Sequence, residues 1–255
     1  MVRYSDNEMM AIAAGRFIKN GDVVFSGTGV SMLAVTVAKR IYAPEAVVFF
    51  ETGGIDPSLD EIPMAVADLR VMSGTSLNSG LIEAFSIVGH RKLNTIAFLG
   101  AAQIDRYGNL NTTSIGDYHK PTIRFPGSGG ACDVASFASG VITFMQHDKR
   151  RFVEKLDYLT SVGWYKGGTS RKELGLRRGG TIAVVTNLGV LRFHEETKEM
   201  YLAEFFPGVT VEQVQESTGF HIDVSLASEA PPPTLENLKV LREEVDPQRL
   251  ICQAL

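Results

Sequence analysis

Short runs that are apolar throughout constrain the fold of this chain more than any other feature. They occur in "DVVFSG", "AVVFFE", "NTIAFLG", "GVITFMQ" and "GTIAVVTNLGVLRF". A strand without a polar face is buried on both sides, which is typical of parallel sheets covered by helices. Segments of helical period, "SDNEMMAIAAGRFIKNG" and "TGVSMLAVTVAKRIYAP", alternate with the first runs. The pattern predicts an α/β fold, an open and mostly parallel sheet with helices on both faces.

Helix boundary signals divide the chain further. Ser5 and Glu8 have the spacing of a capping box, and Asn20 and Gly21 are typical of the helix end. A run of three prolines, 231–233, precedes a helix predicted at about 234–246. The residues after these prolines are too few for a domain. We therefore predict a single domain over residues 1–255, with the C-terminal helix docked on it.

Composition excludes several classes of function. The net charge is −4, so the chain lacks the basic surface that nucleic acid binding needs. Cys132 and Cys252 are too few for a disulfide framework and lack the spacing of metal ligands. The N-terminus lacks a signal-peptide core, and no apolar run reaches the length of a membrane span. We expect a cytoplasmic protein that binds neither nucleic acid nor membranes.

A carboxylate stands at the end of one buried run. Glu51 follows "VVFF" and precedes Thr52, Gly53 and Gly54. A charge at a strand end can simply reach water. It can also serve as a nucleophile or general base, with the glycines letting a substrate approach. The residues alone leave both interpretations open.

Two glycine clusters could bind anions through backbone N–H groups. Gly27 and Gly29 lie between a strand and a helix, but they lack the third glycine of a dinucleotide fingerprint and the lysine of a phosphate loop. A plain turn is the favoured interpretation there. The segment 127–130, "GSGG", could direct N–H groups at an oxyanion, or could be a turn that packs closely against a neighbour.

Long ordered segments resemble one known family. They are "NGDVVFSGTG", "VAKRIYAP", "GAAQIDRYGNLNTTSIGDYHKP", "RFPGSGGA", "MQHDKRRFVEKLDYLTSVGW" and "LREEVDP". Together these segments are similar to the class I CoA-transferases, in the branch of glutaconate CoA-transferase β subunits. The wider family carries a glutamate followed by a small or polar residue and glycine, and Glu51-Thr52-Gly53 stands at that place. The family's Gly-x-Gly-Gly-Ala-x-Asp segment is complete at 127–133.

The resemblance implies a function and a site. Glu51 would be the covalent nucleophile of CoA transfer to a glutaconate-like dicarboxylic acid, and Gly130, positioned by Gly129, would donate to the oxyanion. Further contacts to substrate or CoA are predicted at Gly27, Gly29, Thr52, Gly53, Gly127 and Ser128. Neither metal nor cofactor is expected, because coenzyme A enters as a substrate thioester. A separate α subunit would complete the enzyme as an αβ unit or multiples of it.

Two other functions remain open. One is a hydrolase or decarboxylase of CoA thioesters, as relatives on the same scaffold are. The other is a non-catalytic subunit that only binds a ligand, because the same fold class includes effector-binding domains as well as sugar-phosphate isomerases. Glu51 together with the complete "GSGGACD" favours transfer. Residues 71–92 match the glutaconate enzymes poorly, so the acid differs from glutaconate if this segment lines the acyl pocket.

Overall fold

The computed structural model describes residues 3–252, so the ends of the predicted domain, residues 1–2 and 253–255, lie outside the described residues. The helices are α1 (Asp6–Gly15), α2 (Val30–Val37), α3 (Leu81–Val88), α4 (Ala131–Phe137), α5 (Ser170–Glu173), α6 (Val211–Glu216) and α7 (Leu235–Val240). Single turns of 3-10 or π type cover Ala38–Tyr42, Leu69–Met72 and Leu241–Val245. The first seven strands are β1 (Asp22–Phe25), β2 (Val47–Phe49), β3 (Gly54–Ile55), β4 (Leu77–Asn78), β5 (Asn94–Gly100), β6 (Gln103–Ile104) and β7 (Leu110–Asn111). The others are β8 (Ser114–Ile115), β9 (Ile123–Arg124), β10 (Gly140–Phe144), β11 (Thr181–Val185), β12 (Gly189–Phe193), β13 (Met200–Phe205) and β14 (Ser228–Glu229).

Two compact units make up the chain. Of the described residues, unit 1 contains 3–98 and 232–252, and unit 2 contains 99–231. The prediction of a single domain stays a prediction.

The strands of unit 1 combine a parallel centre with an antiparallel edge. Their order is β5-β1-β2-β3-β4. The strand β1 pairs in parallel with both β2 and β5, whereas β2-β3 and β3-β4 are antiparallel. The predicted α/β class with parallel central strands is confirmed. The short antiparallel strands β3 and β4 were not predicted.

Helices α1 and α2 pack together in unit 1. The start of α1 follows its sequence signal, but its predicted end at Asn20 and Gly21 is wrong. The helix ends at Gly15, because the Phe17 and Ile18 N–H groups bond to carbonyls three residues back instead of four. The Ser5 hydroxyl accepts from the Glu8 N–H, and the Glu8 carboxylate accepts from the Ser5 N–H at 2.8 Å, so the capping box is confirmed. The predicted C-terminal helix is α7 with its π turn. Arg242 on this turn donates to the buried Glu8 carboxylate at 2.6 Å, which attaches the C-terminal segment to α1.

Unit 2 is built on the strand order β14-β13-β12-β11-β10. The pairs β10-β11 and β13-β14 are parallel, and β12 is antiparallel to both neighbours. The run "GTIAVVTNLGVLRF" was predicted to contain one strand and instead forms a hairpin of two. Its turn closes where the Thr186 N–H donates to the Gly189 carbonyl at 2.9 Å. The core of unit 2 is apolar, with Phe152, Leu191, Leu202 and Ile222 fully buried.

Candidate active site

Glu51 lies in the turn of a tight hairpin at the carboxyl end of β2. The Gly53 N–H donates to the Phe50 carbonyl at 3.0 Å, so Glu51 and Thr52 occupy the two central positions of a four-residue turn. Three fully buried residues, Val48, Phe49 and Phe50, precede it. The Glu51 side chain itself is half-buried. Within the described residues, no donor or cation contacts its carboxylate. The hairpin therefore presents an unpartnered carboxylate at a strand end.

The glycines after Glu51 make room for protein rather than for substrate. A Cβ added to Gly53 would lie 2.1 Å from the Ser79 carbonyl oxygen, and one added to Gly54 would lie 2.1 Å from the Val71 carbonyl oxygen. Gly53 also has a φ of +100°, which favours glycine. This corrects the sequence-based explanation that these glycines clear space for a thioester. Their missing side chains let the chain at residues 71–80 pack against the turn.

Residues 66–79 hold the Glu51 turn at several points. The Ser79 N–H and hydroxyl both donate to the Gly53 carbonyl, at 2.9 and 3.2 Å. The Thr52 hydroxyl donates to the Val66 carbonyl at 3.3 Å. Ser79 and Val66 had no signal in the sequence, because nothing local to them indicates contact with residues so far along the chain. Thr52 and Gly53, predicted as substrate contacts, thus bond within the protein, and their contact with a ligand stays a prediction.

The loop that contains Gly27 and Gly29 leaves the same edge of unit 1 as Glu51. Phe25 at the end of β1 is in register with Phe49 at the end of β2, and the Ser26 N–H donates to the Phe49 carbonyl at 3.1 Å. Gly29 precedes α2 with a φ of +78° and has open space around its Cβ position. The N–H groups of residues 27–30 have no acceptor among the described residues. The structure thus brings this loop and the Glu51 turn to one edge.

The segment 127–130 lies in unit 2 and has three unused backbone donors. Its start is fixed to Thr112, whose carbonyl accepts from the Gly127 N–H at 3.1 Å and whose hydroxyl donates to the Gly127 carbonyl at 2.9 Å. Gly130 then begins the turn into α4. The N–H groups of Ser128, Gly129 and Gly130 have no acceptor among residues 3–252.

Open space surrounds this segment, in contrast to the filled space at Gly53. Gly127 and Gly129 have φ values of +95° and +48°, and no atom lies within 4 Å of either Cβ position. Cys132, the next side chain along α4 with reactive chemistry, is exposed. The segment can therefore present N–H groups to an anion, and the alternative of a turn that packs tightly against a neighbour does not describe Gly127 or Gly129.

A cavity of about 810 Å³ in unit 2 contains none of the predicted residues. Acidic and histidine side chains line it, including a hydrogen bond of 3.0 Å between His194 Nε2 and the Asp223 carboxylate. Across the described residues, no group of three or more His, Cys, Asp or Glu side chains is arranged to hold a metal ion. No helix in residues 3–252 has the length and apolar character needed to cross a membrane.

Comparison of the sequence with known proteins identifies the family of this chain. The sequence model of the coenzyme A transferase family matches residues 7–217, most of the chain. The chain belongs to this family. This CoA-transferase chain is 46% identical to the β subunit of glutaconate CoA-transferase from Acidaminococcus fermentans, over 98% of this chain and 96% of that one. It is 40% identical to the β subunit of 3-oxoadipate CoA-transferase from Pseudomonas knackmussii, over 95% and 94% of the two chains.

A solved CoA-transferase structure has the same fold. The crystal structure of glutaconate coenzyme A-transferase from Acidaminococcus fermentans matches with a TM-score of 0.95 and 44% identity, over 99% of both chains. The predicted resemblance to glutaconate CoA-transferase β subunits is thereby confirmed. The comparisons assign no role to individual residues, so the roles of Glu51 and of the glycine segment stay proposals.

Proposed function

We propose that this chain is the β subunit of an enzyme that moves CoA between an acyl-CoA and a free dicarboxylic acid, with Glu51 as the covalent nucleophile. One observation carries the proposal, the half-buried and unpartnered Glu51 carboxylate in a tight turn at the carboxyl end of β2. A carboxylate neutralised by an ion pair would be a poorer nucleophile. The buried Phe49 and Phe50 before it hold the turn in place and keep water from its inner side.

The first half of the reaction loads CoA onto the enzyme. A Glu51 oxygen attacks the carbonyl carbon of the donor thioester. The C–S bond breaks and releases the CoA thiolate, which leaves the donor acyl group joined to Glu51 as a mixed anhydride. The thiolate then attacks the Glu51 carbonyl carbon, and the bond from that carbon to the bridging oxygen breaks. The donor acid departs as a carboxylate and leaves a glutamyl-CoA thioester.

The second half repeats these steps in reverse. The incoming carboxylate attacks the glutamyl-CoA carbonyl and displaces the thiolate, giving a second anhydride. The thiolate attacks the acyl carbonyl of the incoming acid, which releases the product thioester and restores the Glu51 carboxylate. The thioester bond is conserved throughout, so the reaction requires no external energy source, and its kinetics are ping-pong.

Each tetrahedral intermediate in this sequence carries an oxyanion. We assign its donor to the N–H of Gly130, with Gly129 as the neighbouring residue that positions it. The support is that the N–H groups of residues 128–130 have no acceptor in unit 2 and that space is open beside Gly127 and Gly129. Loss of one such donor costs about 10² to 10³ in rate.

The relatives favour a dicarboxylic acid and a second subunit. Two of them, at 46% and 40% identity, are named for glutaconate and 3-oxoadipate, which are both dicarboxylic acids, and each is named as one subunit of its enzyme. We therefore propose an acid with two carboxylates and an α subunit that contributes the remainder of the site.

A transfer assay with a matched pair of variants tests this function. The αβ complex is supplied with acetyl-CoA and a panel of mono- and dicarboxylic acids, and new acyl-CoA is measured. We expect transfer to dicarboxylic acids and a loss of more than about 10³-fold in kcat for Glu51→Gln. Glu45→Gln is the control. Glu45 is exposed and lies just before the start of β2, at the opposite end of the strand from Glu51, so this variant should retain full activity.

Three outcomes would contradict the proposal. Release of free CoA at a rate independent of the acid would identify a thioester hydrolase. Undiminished turnover by Glu51→Gln, with deamidation excluded by mass spectrometry, would remove the nucleophile. Binding of acyl-CoA without any turnover would identify a subunit that only binds ligands.

A further inference from the structure

Arg171 in unit 2 is a buried arginine that the proposed mechanism does not use. It lies in helix α5, and only 2% of the residue is exposed. Within residues 3–252 no carboxylate pairs with it, and burial lowers the pKa of its guanidinium from an ordinary 12.5 to about 10. A buried charge without a counter-ion is costly, so its hydrogen bonds must compensate for the lost contact with water.

Six hydrogen bonds from the Arg171 guanidinium join three separate segments of unit 2. Nη1 donates to both carbonyls of residues 162–163 at 2.8 Å, and Nη2 donates to the carbonyls of residues 135–136 at 2.8 and 3.3 Å. Nε and Nη2 both donate to the Arg178 carbonyl, at 2.9 and 2.7 Å. The guanidinium is planar with five N–H donors in a fixed arrangement, which a lysine cannot reproduce.

The bonds to residues 135–136 hold the C-terminal end of α4. The last carbonyls of a helix have no partner within it, and a positive charge is favourable there. Helix α4 spans only Ala131–Phe137, which is about two turns. Its start directly follows the glycine segment 127–130, to which we assign the oxyanion donor. An arginine that fixes one end of so short a helix also restricts movement of the other end.

The bonds to residues 162–163 reach the opposite end of the glycine segment by way of Thr160. The Thr160 hydroxyl accepts from the Thr112 N–H at 2.9 Å, and Thr112 in turn bonds twice to Gly127. Short bonded paths thus lead from Arg171 to both ends of the glycine segment. We call this set the arginine frame, which consists of Arg171, Thr112, residues 160–163 and residues 135–136.

The middle of the glycine segment has no packing of its own. No atom lies within 4 Å of the Cβ positions of Gly127 and Gly129, and the N–H groups of residues 128–130 have no acceptor among the described residues. The position of these donors therefore depends on how the two ends of the segment are held.

We propose that Arg171 is a positioning residue for CoA transfer, because it fixes both ends of the segment that presents N–H groups to the oxyanion. This rests on the proposed function, in which that segment stabilises the tetrahedral intermediates. Arg171 acts through the arginine frame and does not contact the substrate.

The test follows the first half of the reaction in a single turnover. The αβ complex is mixed with saturating acetyl-CoA in the absence of an acceptor acid, and rapid quench measures the acetate that leaves as Glu51 takes up CoA. The rate constant of this burst describes each active site, whereas its amplitude counts the active sites. We expect Arg171→Lys to lower the rate constant about 10²-fold, because a displacement of about 1 Å at the reacting groups costs that much. The half-saturating concentration of acetyl-CoA should stay within about threefold of the wild-type value.

Leu202→Ala is the matched control for a loss of stability in the same unit. Leu202 is fully buried in the apolar core of unit 2 and lies outside the arginine frame. Its truncation leaves a cavity and destabilises the unit. The amplitude of the burst should therefore fall on warming, while the rate constant stays at the wild-type value.

Thr160→Val is a second and milder change in the arginine frame. It removes the acceptor of the Thr112 N–H and keeps the branched shape of the side chain. We expect the rate constant to fall about 10-fold, since one hydrogen bond of the frame is lost. This variant leaves Arg171 in place, so it decides the question if Arg171→Lys gives no folded complex.

The outcomes separate this inference from the proposed function. If Arg171→Lys keeps the wild-type rate constant, or if only its amplitude falls, Arg171 is structural and the inference is wrong. Without a folded Arg171→Lys complex, an unchanged rate constant in Thr160→Val overturns the inference and a reduced one supports it. If the wild-type complex transfers CoA without a burst of acetate, the proposed nucleophile is wrong, and kcat per folded complex of the same variants decides the role of Arg171. A wild-type complex that turns over no acyl-CoA would overturn both.

Discussion

Gly53→Ala is the substitution that tests most sharply how the Glu51 turn is built. The added Cβ would lie 2.1 Å from the Ser79 carbonyl oxygen and 2.5 Å from its carbon, whereas ordinary contacts begin at 3.4 Å. The atoms that are met belong to backbone, so residue 79 must retreat by more than 1 Å. Such a retreat breaks the 2.9 Å bond from the Ser79 N–H to the Gly53 carbonyl.

The expected loss of stability can be worked from these contacts. A φ of +100° costs an alanine about 1 to 2 kcal/mol, and forcing the backbone apart costs about 1 to 3 kcal/mol more. The broken hydrogen bond adds about 1 kcal/mol. We therefore expect the free energy of unfolding to fall by roughly 3 to 6 kcal/mol, or the turn to open locally at lower cost. Either response moves Glu51 from its position.

Activity and stability are measured side by side for Gly53→Ala and Gly21→Ala. Gly21 lies in the same unit with a φ of +86°, and no atom lies within 4 Å of its Cβ position. Gly21→Ala therefore measures the effect of backbone strain alone, and we expect it to lower the free energy of unfolding by about 1 to 2 kcal/mol in urea. We expect kcat of the αβ complex to fall more than about 10²-fold for Gly53→Ala and to stay near the wild-type value for Gly21→Ala. Equal stability and equal kcat in the two variants would refute the packing of Ser79 against the turn.

Three further predictions concern both units. Burial lowers the pKa of His147 from an ordinary 6.5 to about 4, and the nearby Asp148 charge opposes this shift only weakly. The free energy of unfolding should therefore fall by up to about 3 kcal/mol as the pH drops from 7 to 4. This loss should shrink in His147→Gln, and an unchanged pH dependence in urea unfolding would contradict the assignment. Arg242→Ala removes the nearer of the two arginines at the buried Glu8 carboxylate and leaves only Arg249, at 3.8 Å. This change should cost about 3 kcal/mol by urea unfolding, whereas a loss under about 1 kcal/mol would show that this pair matters little. Thr52→Val removes the 3.3 Å bond to the Val66 carbonyl and should lower kcat of the αβ complex by less than about 10-fold; a larger loss would point to a direct contact of the hydroxyl with substrate.

The sign of the His147 prediction follows from its surroundings. The ring stacks on Phe152 at 3.9 Å, and its two nitrogens bond to Thr186 and Thr218 at 3.2 and 2.9 Å. A neutral ring, which has one donor and one acceptor nitrogen, fits this buried site, and a protonated ring is disfavoured there. Below about pH 6.5 the His147 ring binds a proton in the unfolded chain, whereas in the folded chain it stays neutral until the pH approaches 4. The stability is therefore complete above that pH and is lost as the pH falls towards 4.

The elements that were predictable from the sequence are those with local causes. Ser5 and Glu8 predicted the start of α1, because a capping box needs only residues three apart. Apolar runs predicted β1, β2 and β5, because a run without polar residues indicates a strand that is buried on both faces, whatever the rest of the chain does. The position of Glu51 at a strand end followed directly from its place after "VVFF".

The elements that were missed depend on contacts between distant residues. Gly53 is required by the backbone of Ser79, and no local pattern connects two positions that are 26 residues apart. For this reason the glycine was interpreted as room for a ligand. The strands β3 and β4 contain only two residues each, too few to show a period. The β11-β12 turn had a local signal in Asn187 and Gly189, and the prediction missed it.

Covalent trapping at Glu51 tests the central claim most directly. The wild-type αβ complex is incubated with acyl-CoA and then reduced with borohydride, which converts a glutamyl thioester to the primary alcohol. Peptides are mapped by mass spectrometry, with a parallel sample that lacks acyl-CoA. We predict conversion of Glu51 to the alcohol only in the presence of acyl-CoA, with Glu45 unchanged. Full turnover with an unmodified Glu51, or modification at another residue, would contradict the account.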